Sequence, residues 1–307
     1  MRYNSFNNSM KKIFKIALVF CLAIPFSGQA QDDLLDMLEE NQEPVTNYTI
    51  ATFKNTRLVS GHSIETNGKG VLQFMIQHRF GTLNSGWREL WGLDNSTIRI
   101  GVEYGLTDHL NIGLARSSFL KTYDAMVKWR FLRQKSGAEN FPFTATAVSS
   151  IYLDTTEWAE PERENFFSSR LSYHHALLLA RKFGDKFSLQ LMPTIVHDNL
   201  VDETQDMNTI FSMGAGTSIK LTGSVRLNLE YYYLLPDQIF SQELTNSFSI
   251  GFDIETGGHV FQFHITNSRG MTERLLIKNT NGRWEDGDIF FGFNISRVFN
   301  VGKKKIN

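Results

Sequence analysis

The 307-residue chain carries 31 Lys+Arg against 32 Asp+Glu, so it lacks the clustered basic excess of a nucleic-acid-binding surface. Its single cysteine excludes an internal disulfide framework and any Cys-based zinc site. With 25 Phe and only 6 Pro, the composition suits one large domain of extended strands, and girdled membrane barrels share that aromatic excess.

At the N-terminus, Lys11, Lys12 and Lys15 precede an apolar run from Ile16 to Phe26, and Ser27-Gly28-Gln29-Ala30 supplies small residues for a cut after Ala30. This is the pattern of a secretory signal peptide over 1–30, too short for a membrane-spanning helix. Cys21 lies inside the run, so the exported chain carries no thiol, and the bulky Phe20 before it argues against lipidation. Without the four basic residues Arg2, Lys11, Lys12 and Lys15, the remainder has 27 basic and 32 acidic side chains, a net of −5.

Residues 31–69 form a separate N-terminal segment. Asp32–Glu40 is acidic with an amphipathic spacing, the Gln/Asn stretch to Pro44 resembles a linker, and Thr52–Ile64 (TFKNTRLVSGHSI) is polar and extended. The expectation is a plug inside a barrel, a cap on its periplasmic mouth, or a tail.

From residue 70 onward the hydropathy alternates. Ile98, Ile100, Val102 and Tyr104 interleave with Arg99, Gly101 and Glu103; Tyr123, Ala125, Val127, Trp129 and Phe131 interleave with Asp124, Met126, Lys128 and Arg130. Val225–Tyr233, Phe248–Ile254, Phe261–Ile265 and Ile289–Ile295 repeat the pattern. Successive side chains of a strand point to opposite faces, so each segment has one apolar and one polar face. The pattern predicts twelve strands, within a range of about ten to fourteen, near 70–80, 96–105, 109–117, 122–132, 142–154, 166–181, 187–197, 209–221, 225–234, 247–255, 259–267 and 288–299. Most are long enough to cross a bilayer at a tilt.

The links sort by parity. Those at 106–108, 133–141, 182–186, 222–224 and 256–258 are short and rich in Gly, Asp and Asn. Those at 81–95, 155–165, 198–208, 235–246 and 268–287 are long, with 118–121 the exception. Outer-membrane barrels have short periplasmic turns and long outer loops. A soluble sandwich would also bury one face of alternating strands, but it gives no reason for the parity. The expected fold is therefore all-β, an antiparallel transmembrane barrel over 70–299 with a polar lumen, followed by a basic tail at 300–307. Its expected location is the outer membrane, with outer-membrane lipid and the barrel-assembly machinery as partners.

On this reading the lumen-facing candidates are Arg99, Glu103, Asp124, Lys128, Arg130, His174, Arg226, Glu230, Asp253 and Glu255. Opposite charges in the Asp124/Lys128/Arg130 and Arg226/Glu230 sets are expected to compensate one another, within a strand or across the interior. His174 and His175 face opposite sides and cannot share a metal; His174 is expected to be a hydrogen-bonded lumen residue. The acidic loop Asp154–Glu162 is either a cation-binding loop or a solvated surface. No HExxH, GxSxG, phosphate-binding Gly loop or CxxC is present. No cofactor, metal or catalytic set is expected.

The stretches GHSIE (61–65), HRFG (78–81), GLDNSTIRIGVEYGLTD (92–108), FFSSRLSYHHALLLARKF (166–183), FSLQLMPTIVH (187–197), SIGFDIETGGHVFQFHITNSRGM (249–271) and GDIFFGFNISRVF (287–299) resemble a Bacteroidota barrel family termed domain of unknown function 5777. The resemblance implies an outer-membrane β-barrel and supplies no activity. The functional expectation is a gated channel or small-solute binding barrel. The alternatives are a scaffold barrel with a packed lumen and partner-binding loops, and, more distantly, an acyl hydrolase on the strength of a histidine near a serine.

Overall fold

The computed structural model describes residues 45–201 and 203–302. The expected signal peptide at 1–30, the acidic stretch and linker expected up to residue 44, and residues 303–307 of the expected basic tail lie outside the described residues.

Two short strands stand apart from the barrel: β1 (Thr46–Tyr48) pairs with β6 (Lys135–Gly137) as a separate ribbon. The others are β2 (Val71–Thr82), β3 (Ser96–Gly105), β4 (Leu110–Ser117), β5 (Thr122–Leu132), β7 (Thr144–Asp154), β8 (Leu171–Phe183) and β9 (Phe187–Asp198). They continue with β10 (Thr209–Lys220), β11 (Val225–Leu234), β12 (Ser247–Thr256), β13 (His259–Thr266) and β14 (Phe290–Asn300). These twelve pair antiparallel in sequence order, and β14 closes on β2, with Ile295 opposite Ile76 and Phe293 opposite His78. Closure removes the exposed edges that an open sheet would leave.

Burial along each strand is inverted relative to a soluble protein. On β3, Ile100 and Val102 are 44% and 37% exposed, whereas Arg99 and Glu103 are 4% and 7% exposed. Outward Leu114, Val127 and Trp129 are exposed, and inward Asn111 and Lys128 are fully covered. Apolar side chains outside and polar side chains inside are what a bilayer requires of a closed sheet.

The lumen wall has two sides. Inward residues of β2–β5 and β12–β14 are mostly polar, among them Gln73, Gln77, Arg79, Asp253, Gln262 and Asn294. From β7 to β11 an apolar patch faces inward: Val148, Leu178, Met192, Val196, Ile210 and Tyr232. It packs against Leu58 and Ile64 of the N-terminal segment and against Leu276 and Ile277 of a short helix, α1 (Glu273–Lys278), within the β13–β14 loop.

Three local features depart from the expected strands. Phe167–Arg170 is a 3₁₀ turn and β8 starts only at Leu171. Arg170 is pinned to the carbonyls of Asp154 and Thr156 and stacks on Trp158, which holds the chain in that turn. The 133–141 link contains β6, which pairs with β1 outside the barrel and turns back on itself through a Lys135–Phe141 bridge. The 268–287 loop folds α1 inward because Leu275, Leu276 and Ile277 are buried.

Candidate functional site

Residues 52–67 enter the barrel from the end that carries the short turns and leave by the same end. At entry the Thr49 N–H donates to Gln134 O, and at exit Gly70 donates to Gly105 O. Within the lumen the segment doubles back as a hairpin: Leu58 N–H donates to Gly61 O at 2.9 Å and Ser63 N–H to Thr56 O at 3.0 Å, with Arg57 bridged to His62. Every residue from Asn55 to Ile64 is buried. A polar hairpin can be buried only if its backbone finds partners, and here the barrel wall supplies them.

The tip, Leu58–Gly61, sits on Glu230 of β11. The Glu230 carboxylate accepts the N–H groups of Val59, Ser60 and Gly61 at 3.1, 3.2 and 2.9 Å. Successive backbone N–H groups converging on one anion form a concave nest. A side chain at Gly61 would overlap the Tyr232 hydroxyl, and one at Gly216 on β10 would overlap Leu58. Both glycines are thus set by close approach.

Amide side chains line the hairpin flanks. Gln190 donates to His62 O at 2.8 Å and accepts the Ile64 N–H at 2.9 Å. Asn294 donates to Val59 O at 2.7 Å and Gln262 to Leu58 O at 2.8 Å. Lys128 donates to Thr56 O and Glu65 O at 3.0 and 3.2 Å. Arg79 donates to the Ser60 hydroxyl at 2.8 Å.

From the opposite, long-loop end, α1 brings Glu273 onto the hairpin. Its carboxylate accepts the His62 N–H at 2.6 Å and lies 3.5 Å from Arg57, which also lies 3.6 Å from Glu103. Burial alone would raise the Glu273 carboxyl, but the Arg57 guanidinium, His174 and backbone N–H groups outweigh it and hold it below its ordinary range. Burial, then the Arg57 charge, holds the His62 imidazole well below its ordinary value. Above the usual imidazole range, a neutral His62 therefore sits beside a salt-bridged Arg57 and Glu273.

All ten sequence candidates lie on the predicted faces, but their partnerships differ from the expectation. Arg99 pairs with Asp124 at 3.0 and 2.5 Å, reaching across β4, where the inward residues Gly113 and Ala115 leave room. Among the described residues Lys128 pairs with no carboxylate; it serves hairpin carbonyls instead. Arg130 lies 3.6 Å from Glu65 and donates to Asp108 O. Arg226 and Glu230 do not compensate each other, because Glu230 is committed to the hairpin tip. Arg226 stands opposite Asp253 in register, yet no carboxylate among the described residues lies within salt-bridge distance of it. Asp253 accepts Gln262 at 2.8 Å, and Glu255, at the rim, pairs with Lys54.

The hydrogen-bonded role expected for His174 is corrected. It is fully buried, but neither ring nitrogen has a partner among the described residues, because its inward neighbours on β7 and β9, Ser150 and Val196, offer it no bond. His175 points outward, and its Nδ1 lies 3.0 Å from the Ser149 hydroxyl. Among the described residues no third group orients that imidazole, and no cluster of three His, Cys, Asp or Glu side chains gathers as a metal site requires.

Sequence reasoning missed Arg57, His62, Gln190 and Glu273. The continuous apolar run Ala176–Ala180 was the available signal for the inner patch, since a strand apolar on both faces is covered on both. Nothing local marks Glu273, whose role depends on a long loop turning inward.

The family described as "Membrane bound beta barrel domain (DUF5777)" matches residues 53–299, a span that includes the hairpin. A comparison with curated proteins finds none that matches. Among solved structures, the fold is similar to the NanC porin (8% identity, 74% of this chain and 98% of that one, TM-score 0.47). It is similar also to an outer membrane channel from Pseudomonas putida F1 (12% identity, 77% and 98% coverage, TM-score 0.45). Outer membrane phospholipase A from Escherichia coli is another (11% identity, 74% and 92% coverage, TM-score 0.44).

Proposed function

The chain belongs to the membrane-bound β-barrel domain family DUF5777, and on that footing we propose that it is an outer-membrane solute passage held shut by its own N-terminal hairpin. The short turns face the periplasm and the long loops face outward. The observation that carries this reading is the Glu230 nest. The hairpin tip is fastened by one carboxylate that accepts three backbone N–H groups, and its flanks are held by Gln190, Asn294, Gln262 and Lys128. A permanent core would be expected to use apolar packing throughout. A hairpin held by hydrogen bonds and a few charges can be released, since water can replace those partners.

The reading is non-enzymatic. The outward Ser149–His175 pair has no orienting group among the described residues, and nucleophilic catalysis requires nucleophile, base and orienter together. A second reading, a scaffold barrel with a permanently packed lumen, is favoured by one observation: Leu58, Ile64, Leu276 and Ile277 share an apolar cluster with the β7–β11 wall.

Planar-bilayer recording separates the two. In the gated reading the mature protein is silent, and replacing residues 52–67 with a Gly/Ser linker opens a salt-dependent conductance. In the scaffold reading neither protein conducts, and the replacement fails to refold in lipid.

A further inference from the structure

Around the hairpin tip the barrel wall bonds main chain. Gln190 donates to His62 O and accepts the Ile64 N–H, so one carboxamide takes up both sides of Ser63 as a neighbouring strand would. Thr146 donates to Ile64 O at 3.1 Å, and Lys128, Asn294 and Gln262 donate to the carbonyls of Thr56, Val59 and Leu58. Bonds of this kind are indifferent to sequence, because every peptide main chain offers the same carbonyls and N–H groups. In strand recognition such bonds supply affinity, and pockets for individual side chains supply specificity.

One such pocket adjoins the nest. Gly216 of β10 stands directly opposite Glu230 of β11. Leu58 fills the hollow over Gly216, where a Cβ would overlap it, and it packs there with the apolar cluster that contains Met192 and Tyr232. Glu230 meanwhile accepts the N–H groups of Val59, Ser60 and Gly61. An ammonium presents three N–H donors on one atom, and it brings a full countercharge to the carboxylate. The N-terminal residue of a peptide, if apolar, thus matches the carboxylate with its ammonium and the hollow with its side chain.

We propose that this wall, once uncovered, is a binding site for short peptides with a free, apolar N-terminal residue. The site names the solute class of the gated passage and rests on that reading, with the hairpin tip holding the peptide's place while the passage is shut.

The test is fluorescence anisotropy of the peptide Leu-Val-Ser-Gly, labelled at its C-terminus, with the refolded mature protein in which a Gly/Ser linker replaces residues 52–67. The expected result is saturable binding. N-acetylation of the peptide weakens it about tenfold, the loss of one charge-assisted contact. Gly in place of the first Leu weakens it by about tenfold or more through lost apolar burial. Glu230→Gln in the linker protein erases the distinction between free and acetylated peptide, and maltotriose does not compete. If the linker protein fails to refold, amide exchange of the intact mature protein decides: excess peptide quickens exchange at Leu58–Gly61, and its acetylated form does not. Binding that ignores acetylation, competition by maltotriose, or neither binding nor quickened exchange overturns the proposal. Conductance is read separately. A linker protein that conducts but ignores the peptide refutes the site and leaves the gate; one that binds the peptide without conducting upholds the site and refutes the passage.

Discussion

The Glu230 carboxylate accepts the Gly61 N–H at 2.9 Å, so a strand in the middle of the barrel wall holds the turn of a hairpin that entered from the barrel's mouth. Glu230→Gln keeps the shape and removes the charge. Charge-assisted bonds contribute about 1.5–3 kcal/mol each, and the amide can accept only part of the set. The expected outcome is a loss of about 2 kcal/mol in lipid refolding and faster amide exchange at Leu58–His62. Unchanged exchange there would show that the tip is held by packing.

Gly216 and Leu58 should be coupled. A Cβ at Gly216 would overlap Leu58, and overpacking of this kind costs about 1–3 kcal/mol. Gly216→Ala is therefore expected to destabilise, and Leu58→Ala in the same protein to recover part of the loss. Additive effects in a double-mutant cycle, read from urea midpoints, would place Leu58 elsewhere.

Acid should loosen the hairpin in two stages. His62 is held below its ordinary value of 6.5 and Glu273 below its ordinary 4.5. In both cases the unfolded chain binds more protons, so stability falls as pH falls. His62 contributes its share above its unfolded value and loses it as pH drops below that value toward its folded one. Glu273 does the same at lower pH. Thermal unfolding in lipid at a series of pH values checks this, and His62→Gln should shrink the upper stage while leaving the lower.

Two neighbouring substitutions on β3 probe the two faces. Val102→Arg places a charge in lipid at a cost of about 2–4 kcal/mol near the midplane. Gly101→Ser, which alternation alone marks as mild, meets a tight lumen: a Cβ there would lie 2.7 Å from the Ala115 Cβ. Both variants should refold poorly, but only Gly101→Ser should be rescued by Ala115→Gly. Rescue of Val102→Arg by the same change would contradict the assigned faces.

The strands and their facing were legible because alternation, strand length and link parity are local and repeat twelve times. Arg99, Asp124 and Lys128 were legible as inward residues for the same reason. Their partners were not. The Arg99–Asp124 pair spans two strand boundaries and needs the small residues of β4, while Lys128 answers carbonyls of a segment some seventy residues earlier in the chain. Such contacts are set by how the interior is filled, and period two says nothing about that. The same gap hid Glu273, whose carboxylate reaches His62 only because α1 turns into the barrel.

Labelling of intact cells tests the orientation, since no cysteine lies beyond Cys21. Glu162→Cys in the exposed β7–β8 loop should react with an impermeant maleimide, and Asp185→Cys in the β8–β9 turn should react only after the outer membrane is opened. The reverse order would invert the barrel.

Whether the hairpin acts as a gate is read out by single-channel recording in planar bilayers. A gating hairpin leaves the intact barrel silent and gives a steady, salt-dependent conductance once residues 52–67 are replaced by a Gly/Ser linker. A conductance already present in the intact mature protein, and unchanged by that replacement, would contradict it.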